Sequence, residues 1–270
     1  MVSPRRWAPQ PARQRLLGVV IPGPRDAQLL ADPDVDRLLI PLSPGTLQEL
    51  ERGGRRLSHQ TQRVVWDLPP IILDAQWPSY REAVQQLRQR GFNHFRLNNL
   101  SHFELFADPA ELQLSTGYRL FSLNSQALLA WKELGAGEAT LYIEDDRTNL
   151  GELLARDAGL ATAVTVYAPV PLLTSRIPLR GLRPDSPVVS DRGEQYRVVQ
   201  RGGLSILSPE TDFSLLGHLA TLQAAGCERF VVDLSHLGPF SPRGKQVLDA
   251  LRRDQTLPGT SPFNFLGTLE

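Results

Sequence analysis

Cysteine is nearly absent from this chain, which has Cys227 and no other in 270 residues. A single thiol excludes an intrachain disulfide and a cysteine-based metal cage, because both need several thiols. Cys227 comes just before the apolar run "RFVVDL", so we expect it to be a small buried core residue.

An excess of charge is also lacking, since 29 basic and 29 acidic side chains cancel. Proteins that bind nucleic acids usually carry a basic excess, so charge does not support RNA as a partner. No apolar run is long enough to span a membrane, and the N-terminus lacks the apolar core of a signal peptide. These absences predict a cytoplasmic protein without a membrane partner.

The remaining sequence alternates short apolar runs with amphipathic helical patterns after a lead-in rich in Pro, Arg and Gln. Residues 1–14 are predicted to be a flexible lead-in and residues 15–270 a single domain. The predicted strands are 16–20, 37–41, 63–67, 94–98, 118–122, 139–143, 161–167 and 229–234. Most are continuously apolar, which is typical of a parallel sheet covered on both faces.

Helix signals separate most of these strands. Asn124 and Ser241 are predicted N-caps, and Ser101 with Glu104 has the spacing of a capping box. Another helix is predicted to begin at Ser208-Pro209. About eight strands with helices between them predict an α/β fold, a (β/α)8 barrel of the TIM type. An open doubly wound sheet is the alternative, but no GxGxxG follows the first strand.

The region from Tyr167 to Ser208 interrupts this alternation. It contains "PVVS", a turn at Asp191-Arg192-Gly193 and "QYRVV", which together predict a β-hairpin inserted after the seventh strand. In a barrel this insertion lies at the C-terminal mouth, where active sites are found. Long loops are uncommon unless they are functional, so the insertion favours a site there.

Polar residues at the predicted strand ends form the candidate site. They are Asp67, Arg96, Asn98, Ser122, Asn124, Glu144, Asp145, Tyr167, Arg176 and Asp233. Such a mouth suits a small polar ligand or a peptide, and Glu144 with Asp233 is a candidate acid–base pair. The alternative is that these residues cap helices and strand ends, as Asn124, Asp145 or Asp146 would.

Recognised catalytic motifs are missing. The histidines His59, His94, His102, His218 and His236 have no metal-ligand spacing, so they are predicted to be surface or structural residues. There is no GxSxG elbow and no Walker phosphate loop. Ser175 lies beside Arg176, but no partner histidine is evident. The sequence therefore predicts no metal site and leaves the catalytic residues unassigned.

The order of these features nevertheless resembles the collagenase-like peptidases, family thirty-two of peptidase class U. The resemblance covers roughly residues 63 to 255, through "SLNSQALLAWKELG", "VYAPVPLLTSR", "VVSDRGEQYRVV" and the segment that ends in "RFVVDL". Leu123-Asn124, Leu134-Gly135, Glu144, Tyr167, Pro171, Ser175-Arg176, Asp191 and Gly193 carry it, with Leu173 in place of a methionine.

The resemblance implies a barrel with a ligand site formed by Arg96, Asn124, Glu144, Tyr167, Arg176 and Asp233. Related proteins assist hydroxylation of RNA bases or of the ubiquinone ring and hold an iron–sulfur cluster with four cysteines, the first just after the Ser-Arg pair. Here Pro178 stands at that place, and no cysteine lies between Arg176 and Ser208. Because such clusters need thiolate ligands, we expect no iron–sulfur cofactor.

Three functions follow from these observations. The first is a peptidase-like enzyme of this family that works without a cluster. The second is a non-catalytic relative of the hydroxylation proteins, which binds RNA or a protein partner of the same family. The third is an unrelated barrel enzyme that acts on small polar metabolites.

Overall fold

Eight parallel strands form the centre of the computed structural model, which describes residues 3–4, 15–106, 111–177, 187–191, 193 and 195–267. Seven of them precede the insertion: β1 Leu16–Val20, β2 Arg37–Pro41, β3 Val64–Asp67, β4 His94–Leu97, β5 Gln113–Thr116, β6 Ala136–Thr140 and β7 Ala161–Ala168. The eighth is β13, Arg229–Asp233, because five further strands lie between it and β7.

Strand β13 closes the sheet into a barrel. Its residue Val231 lies opposite Gly18 of β1 on one side and Thr165 of β7 on the other, and both pairings are parallel. The other strands pair in chain order from β1 to β7. A closed sheet leaves no barrel strand with unpaired backbone groups along an edge. The predicted (β/α)8 barrel is confirmed.

Helices cover the outside of the barrel. They are α1 Pro44–Gly53, α2 Arg55–Ser58, α3 Trp77–Gln89, α4 Ser125–Glu133, α5 Arg147–Leu154, α6 Leu219–Ala224 and α7 Pro242–Arg253. Two predicted caps are confirmed, because the Asn124 side chain accepts from Ala127 N at 2.9 Å and Ser241 Oγ accepts from Gly244 N at 3.0 Å. Each cap satisfies a backbone N–H that the helix leaves free, which stabilises the helix by about 1 kcal/mol.

The connections after β1 and β4 are 3-10 helices, Pro24–Ala31 and Leu100–Leu105. The predicted capping box of Ser101 and Glu104 is therefore wrong. Asn99 occupies the N-cap instead, and its Oδ1 accepts from both the backbone N and the hydroxyl of Ser101. Asn99 precedes Ser101 by two residues and is itself a strong capping residue, so it takes the position first.

A continuous apolar core lies between the barrel and its helices. Trp66 of β3 is fully buried and meets Phe92 edge-on, with ring centroids 5.6 Å apart. Helix α3 buries Ala83, Val84 and Leu87 against this layer, because these side chains share one face of the helix. Each fully buried large apolar side chain contributes about 1.5–3 kcal/mol to folding.

The inside of the barrel has an apolar middle. Val20, Leu39, Val65, Ala163 and Val231 form a cluster of buried side chains that is separate from the outer core. They come from five different barrel strands, so they meet across the barrel axis. Side chains of a strand alternate between its faces, so residues two positions before or after these also point inward.

An ionic cluster fills the N-terminal end of the interior. Glu138 of β6 accepts from Arg37 Nη2 at 2.5 and 2.7 Å and from Arg229 Nη1 at 2.8 Å. Burial alone would raise the pKa of Glu138, but Arg37 and then Arg229 lower it below its ordinary value. These residues belong to three strands that are not neighbours, so their contacts tie opposite walls of the barrel together.

The insertion contains the predicted hairpin and extends it. Strands β8 Leu173–Ser175, β9 Pro187–Val189, β10 Gln195–Arg201 and β11 Leu204–Pro209 form an antiparallel sheet in the order β8-β11-β10-β9. Val189 lies opposite Gln195 across the predicted turn, where Gly193 has φ of 81°. Strand β12, Asp212–Ser214, then returns antiparallel to β7. The predicted helix start at Ser208 is wrong, because β11 and β12 occupy that stretch and α6 begins only at Leu219.

One predicted strand is misplaced. The stretch 118–122 forms a 3-10 turn over Tyr118–Leu120, and β5 is the more polar "QLST" that precedes it. Ser115 of β5 lies opposite Arg96, and both side chains are buried. The predicted strand 139–143 is also shifted, since β6 spans Ala136–Thr140.

Cys227 is 3% exposed and donates to the carbonyl oxygen of Arg229, which confirms it as a core residue. Burial raises the pKa of this thiol to about 12, so it stays protonated at neutral pH. Within the described ranges, no helix combines the length and the apolar composition needed to cross a bilayer. The predicted lead-in at residues 1–14 lies almost wholly outside the described residues.

Two buried histidines predict loss of stability in acid. Burial lowers the pKa of both His94 and His102 to about 4, and the charge of Arg37 adds to the effect at His94. Between pH 6.5 and 4 the unfolded chain binds protons that the folded chain excludes. The free energy of unfolding should therefore be highest above pH 6.5. Below that pH it should fall by up to about 1.4 kcal/mol per pH unit for each histidine.

Urea unfolding at a series of pH values between 7.5 and 4.5 measures this effect. The variant His94→Gln should show a shallower loss of stability with falling pH. The variant His59→Gln, at an exposed histidine, should retain the full slope. An equal slope in all three proteins would contradict the assignment.

Candidate functional site

The C-terminal mouth of the barrel contains a buried ion pair. Arg96 is 7% exposed, and its Nε and Nη2 donate to the two carboxylate oxygens of Asp67 at 2.7 and 2.6 Å. Asp67 ends β3 and Arg96 lies near the end of the neighbouring β4, so the parallel register aligns them. The bidentate geometry orients the guanidinium and leaves little of it for a ligand.

Asn98 completes this pair. Its Nδ2 donates to Asp67 Oδ1 at 2.7 Å and to the carbonyl oxygen of Leu68 at 2.7 Å. Gly117 of the next strand connection is required here, because a Cβ at that position would lie 1.9 Å from Asn98 Oδ1. Asp67, Arg96 and Asn98 therefore form a rigid wall of the mouth.

A second polar cluster lies where the insertion joins the barrel. The Tyr167 hydroxyl, at the end of β7, donates to Oδ2 of Asp212 in β12. His236 Nε2 lies 3.1 Å from the same Oδ2. The His236 ring stacks on the Tyr167 ring, with centroids 6.3 Å apart and an interplanar angle of 21°. We call Tyr167, Asp212 and His236 the junction cluster.

The electrostatics of the junction cluster keep Asp212 ionised. Burial alone would raise its pKa, but the hydrogen bonds from His236 and Tyr167 and the charges of His236 and Arg243 lower it below the ordinary value. Burial, followed by the hydrogen bond and charge of Asp212, raises the pKa of Tyr167 above its ordinary value. At neutral pH the phenol is therefore a donor and the carboxylate an acceptor.

Solvent reaches the histidine but not the tyrosine. The His236 side chain is 23% exposed, whereas Tyr167 is fully buried between β12 and β13. An accessible imidazole hydrogen-bonded to a carboxylate is the usual arrangement of a general acid or base with its orienting group. The junction cluster can therefore exchange protons with a ligand at the mouth.

The structure brings three of the six predicted ligand-binding residues to one end of the barrel. Tyr167 lies opposite Val232, next to Asp233, and the charge of Asp233 acts on buried Arg96. Asp233 Oδ1 accepts from Ser235 N at 2.9 Å, which holds the carboxylate at the end of β13. Arg96, Tyr167 and Asp233 thus share the mouth, although Tyr167 is too deeply buried to contact a large ligand.

The other three predicted residues have separate environments. Asn124 caps α4, and Glu144 hydrogen-bonds Tyr142, so both have local partners. Arg176 is exposed on the insertion, after β8. Pro178, where the resemblance places the first cluster cysteine, lies outside the described residues.

Several other polar residues of the candidate set have structural partners. Ser122 accepts from Trp131 Nε1 at 3.1 Å. Asp145 accepts from Asn149 Nδ2 at 2.6 Å, and Asp146 caps α5 through Thr148 N and Asn149 N. The contacts of Asp146 are the capping role that the alternative interpretation assigned to Asp145 or Asp146.

The sequence patterns do not predict Asp212 or His236 as residues of the site. They are 24 residues apart and fit no motif, and Asp212 was assigned to a helix. One signal was present, because His236 follows the eighth barrel strand by three residues and therefore lies at the mouth. Among the described residues, no group of three or more histidine, cysteine, aspartate or glutamate side chains is arranged to hold a metal ion.

The fold and the mouth define a (β/α)8-barrel protein with an antiparallel insertion. No protein-family model matches the chain, and no curated protein sequence matches it. Among solved structures, a U32 peptidase is 11% identical with a TM-score of 0.43, covering 62% of this chain and 74% of that one.

Two other solved structures come from Pyrococcus furiosus. A thiamine phosphate pyrophosphorylase is 7% identical with a TM-score of 0.49, covering 88% of this chain and 94% of that one. A mutant tryptophan synthase α-subunit is 13% identical with a TM-score of 0.49, covering 89% and 98%. Likenesses at these TM-scores carry no argument about activity, and the barrel assignment here follows from the strand pairing itself.

The buried pair at the mouth predicts a large effect of neutralising Asp67. In Asp67→Asn the side chain keeps its shape, but buried Arg96 loses the carboxylate to which its guanidinium is doubly hydrogen-bonded. The free energy of unfolding should fall by about 3–5 kcal/mol. Urea unfolding monitored by tryptophan fluorescence measures the change.

The matched control is the exposed pair of Glu152 in α5 and Arg156 just after that helix, whose charged atoms are 3.4 Å apart. Neutralising that pair with Glu152→Gln should cost less than about 1 kcal/mol, because solvent screens exposed charges. Similar losses in the two variants would show that Asp67 does not stabilise buried Arg96.

Proposed function

We propose that this chain is an enzyme that transfers protons to or from a small polar ligand or peptide at the C-terminal mouth of the barrel. The observation that supports this proposal is the hydrogen bond between accessible His236 and Asp212, beside the insertion. In this role His236 is the general acid–base, Asp212 orients it, and Arg96 with Asp67 forms the opposite wall of the site.

Within this proposal the finer function is that of a collagenase-like peptidase relative which works without an iron–sulfur cluster in the cytoplasm. The sequence supports it through the ordered motifs from residue 63 to residue 255, and through the lack of cysteines between Arg176 and Ser208. Hydrolysis by such a site would use water as the nucleophile. His236 would take a proton from the water and return it to the leaving amine.

The test compares His236→Gln with His218→Gln. The His218 ring packs against the Phe265 ring outside the junction cluster, with ring centroids 5.3 Å apart. Its variant therefore controls for the loss of an imidazole. Both proteins and the unmodified chain are incubated with a peptide library and with small-molecule extracts, and products are followed by mass spectrometry.

Any product that the unmodified chain forms should form about 10²–10⁴ times more slowly with His236→Gln. The rate with His218→Gln should be unchanged. Equal rates with His236→Gln and the unmodified chain would exclude the proposed role of His236.

A second function is favoured by the apolar surface of the insertion. Leu172, Leu173, Ile177, Val189 and Val199 are exposed on or next to its strands, with Ile177 74% exposed. The strand register places Val189 and Val199 on one face of this sheet and Leu173 on the other, and exposed apolar side chains on one face mark interaction surfaces in many proteins. This function is that of an accessory relative of the RNA-base or ubiquinone hydroxylation proteins, which binds a protein partner of the same family.

Complementation separates the two functions. RNA modifications, quinones and peptides are compared in cells that lack the protein and in cells that express His236→Gln or the double variant Val189→Ser/Val199→Ser. An enzyme requires His236, so His236→Gln should fail to restore the wild-type profile while the double variant restores it. An accessory protein gives the opposite result.

A further inference from the structure

We infer that Asp212, which Tyr167 positions, holds the imidazole of His236 in the tautomer with its proton on Nε2, so that Nδ1 is the atom that exchanges protons with the ligand. The inference rests on the proposed role of His236 and adds the atom that acts and the residue that selects it. Tyr167 was expected to bind the ligand, and its complete burial favours a role through its neighbours instead.

The count of hydrogen atoms in the junction cluster leads to this tautomer. Tyr167 has one hydroxyl proton, and it points to Oδ2 of Asp212. An ionised carboxylate has no proton to donate, so Asp212 accepts every hydrogen bond it makes. The hydrogen bond between Asp212 Oδ2 and His236 Nε2 must therefore use a proton on Nε2. A neutral imidazole with that proton has its lone pair on Nδ1.

The charged and titratable neighbours agree with this distribution of protons. Tyr167 approaches from β7, Asp212 from β12 and Arg243 from the first turn of α7. The charge of Arg243 acts on both Tyr167 and Asp212, and it favours the carboxylate over the carboxylic acid. A protonated Asp212 is therefore disfavoured.

Tyr167 also fixes the orientation of the imidazole. Its backbone lies between Ser214 of β12 and Val232 of β13, and its side chain is fully buried, so packing holds the ring in place. The imidazole stacks on this fixed ring while its Nε2 is bonded to Asp212. Tyr167 therefore acts on the imidazole in two ways, through its hydrogen bond to Asp212 and through the face of its ring. Together these contacts determine the direction in which Nδ1 points.

The test is a long-range 1H–15N NMR correlation of the imidazole rings in the full-length, 15N-labelled chain at about pH 8, above the ordinary pKa of histidine. Comparison with His236→Gln assigns the His236 signals among the five histidines. We expect the pattern of a single Nε2–H tautomer. A pattern of Nδ1–H, or of two protonated nitrogens, would overturn the inference.

Two variants examine the cause. Tyr167→Phe keeps the ring and removes one donor to Asp212 Oδ2, so His236 should keep the Nε2–H tautomer while its Nε2–H proton signal moves downfield, because the remaining hydrogen bond to that oxygen becomes stronger. Asp212→Asn introduces an N–H that can donate to Nε2, and the pattern should shift toward Nδ1–H. An unshifted Nε2–H signal in Tyr167→Phe would show that Tyr167 does not act on His236 through Asp212, and an unchanged tautomer in Asp212→Asn would overturn the inference.

Tyr142→Phe is the matched control, because the Tyr142 hydroxyl hydrogen-bonds Glu144 outside the junction cluster. It should leave the His236 pattern unchanged, and a change there would overturn the specific role of Tyr167. These spectra need no substrate. If His236→Gln forms products as fast as the unmodified chain, the proposed function fails while the tautomer assignment stands. If the NMR spectra show the other tautomer, this inference fails while the requirement for His236 in the product assay stands.

Discussion

The pairing of β13 with both β1 and β7 is the constraint on which the rest of the molecule depends. It closes the sheet, so that the side chains of opposite strands meet inside the barrel. It also places the segment after β13, which contains His236, beside the end of β7, where the insertion begins. The junction cluster exists because the first strand after the insertion and the last barrel strand both lie against Tyr167.

The interior that this closure creates has three layers of different chemistry. Glu138 with two arginines fills the N-terminal end, five apolar side chains fill the middle, and Asp67 with Arg96 occupies the mouth. Each charged layer is internally paired, because an unpaired charge in this position would carry a large desolvation cost. Asp67 and Arg96 bond each other at two atoms, whereas His236 at the same end of the barrel keeps an accessible side chain.

Local patterns were sufficient to predict the barrel, six of its eight strands in whole or in large part, a seventh with a shift of three residues, and the caps at Asn124 and Ser241. They failed where tertiary packing outweighs composition. Strand β5 is polar and buries Ser115 opposite Arg96, whereas the more apolar "YRLFS" after it begins with a 3-10 turn. The strands β11 and β12 replaced a predicted helix because the insertion sheet and β7 supply pairing partners that no local pattern reveals.

The sequence by itself determined the class of fold, the presence of an insertion after the seventh strand, and the lack of enough thiols for a cysteine-held cluster. These properties depend on periodicity, chain order and composition, which can be counted along the chain. Only the tertiary structure decided that Asp212 and His236 meet at Tyr167. Their contact joins residues 24 and 45 positions apart, and it arises from the register of β12 and β13 on either side of β7.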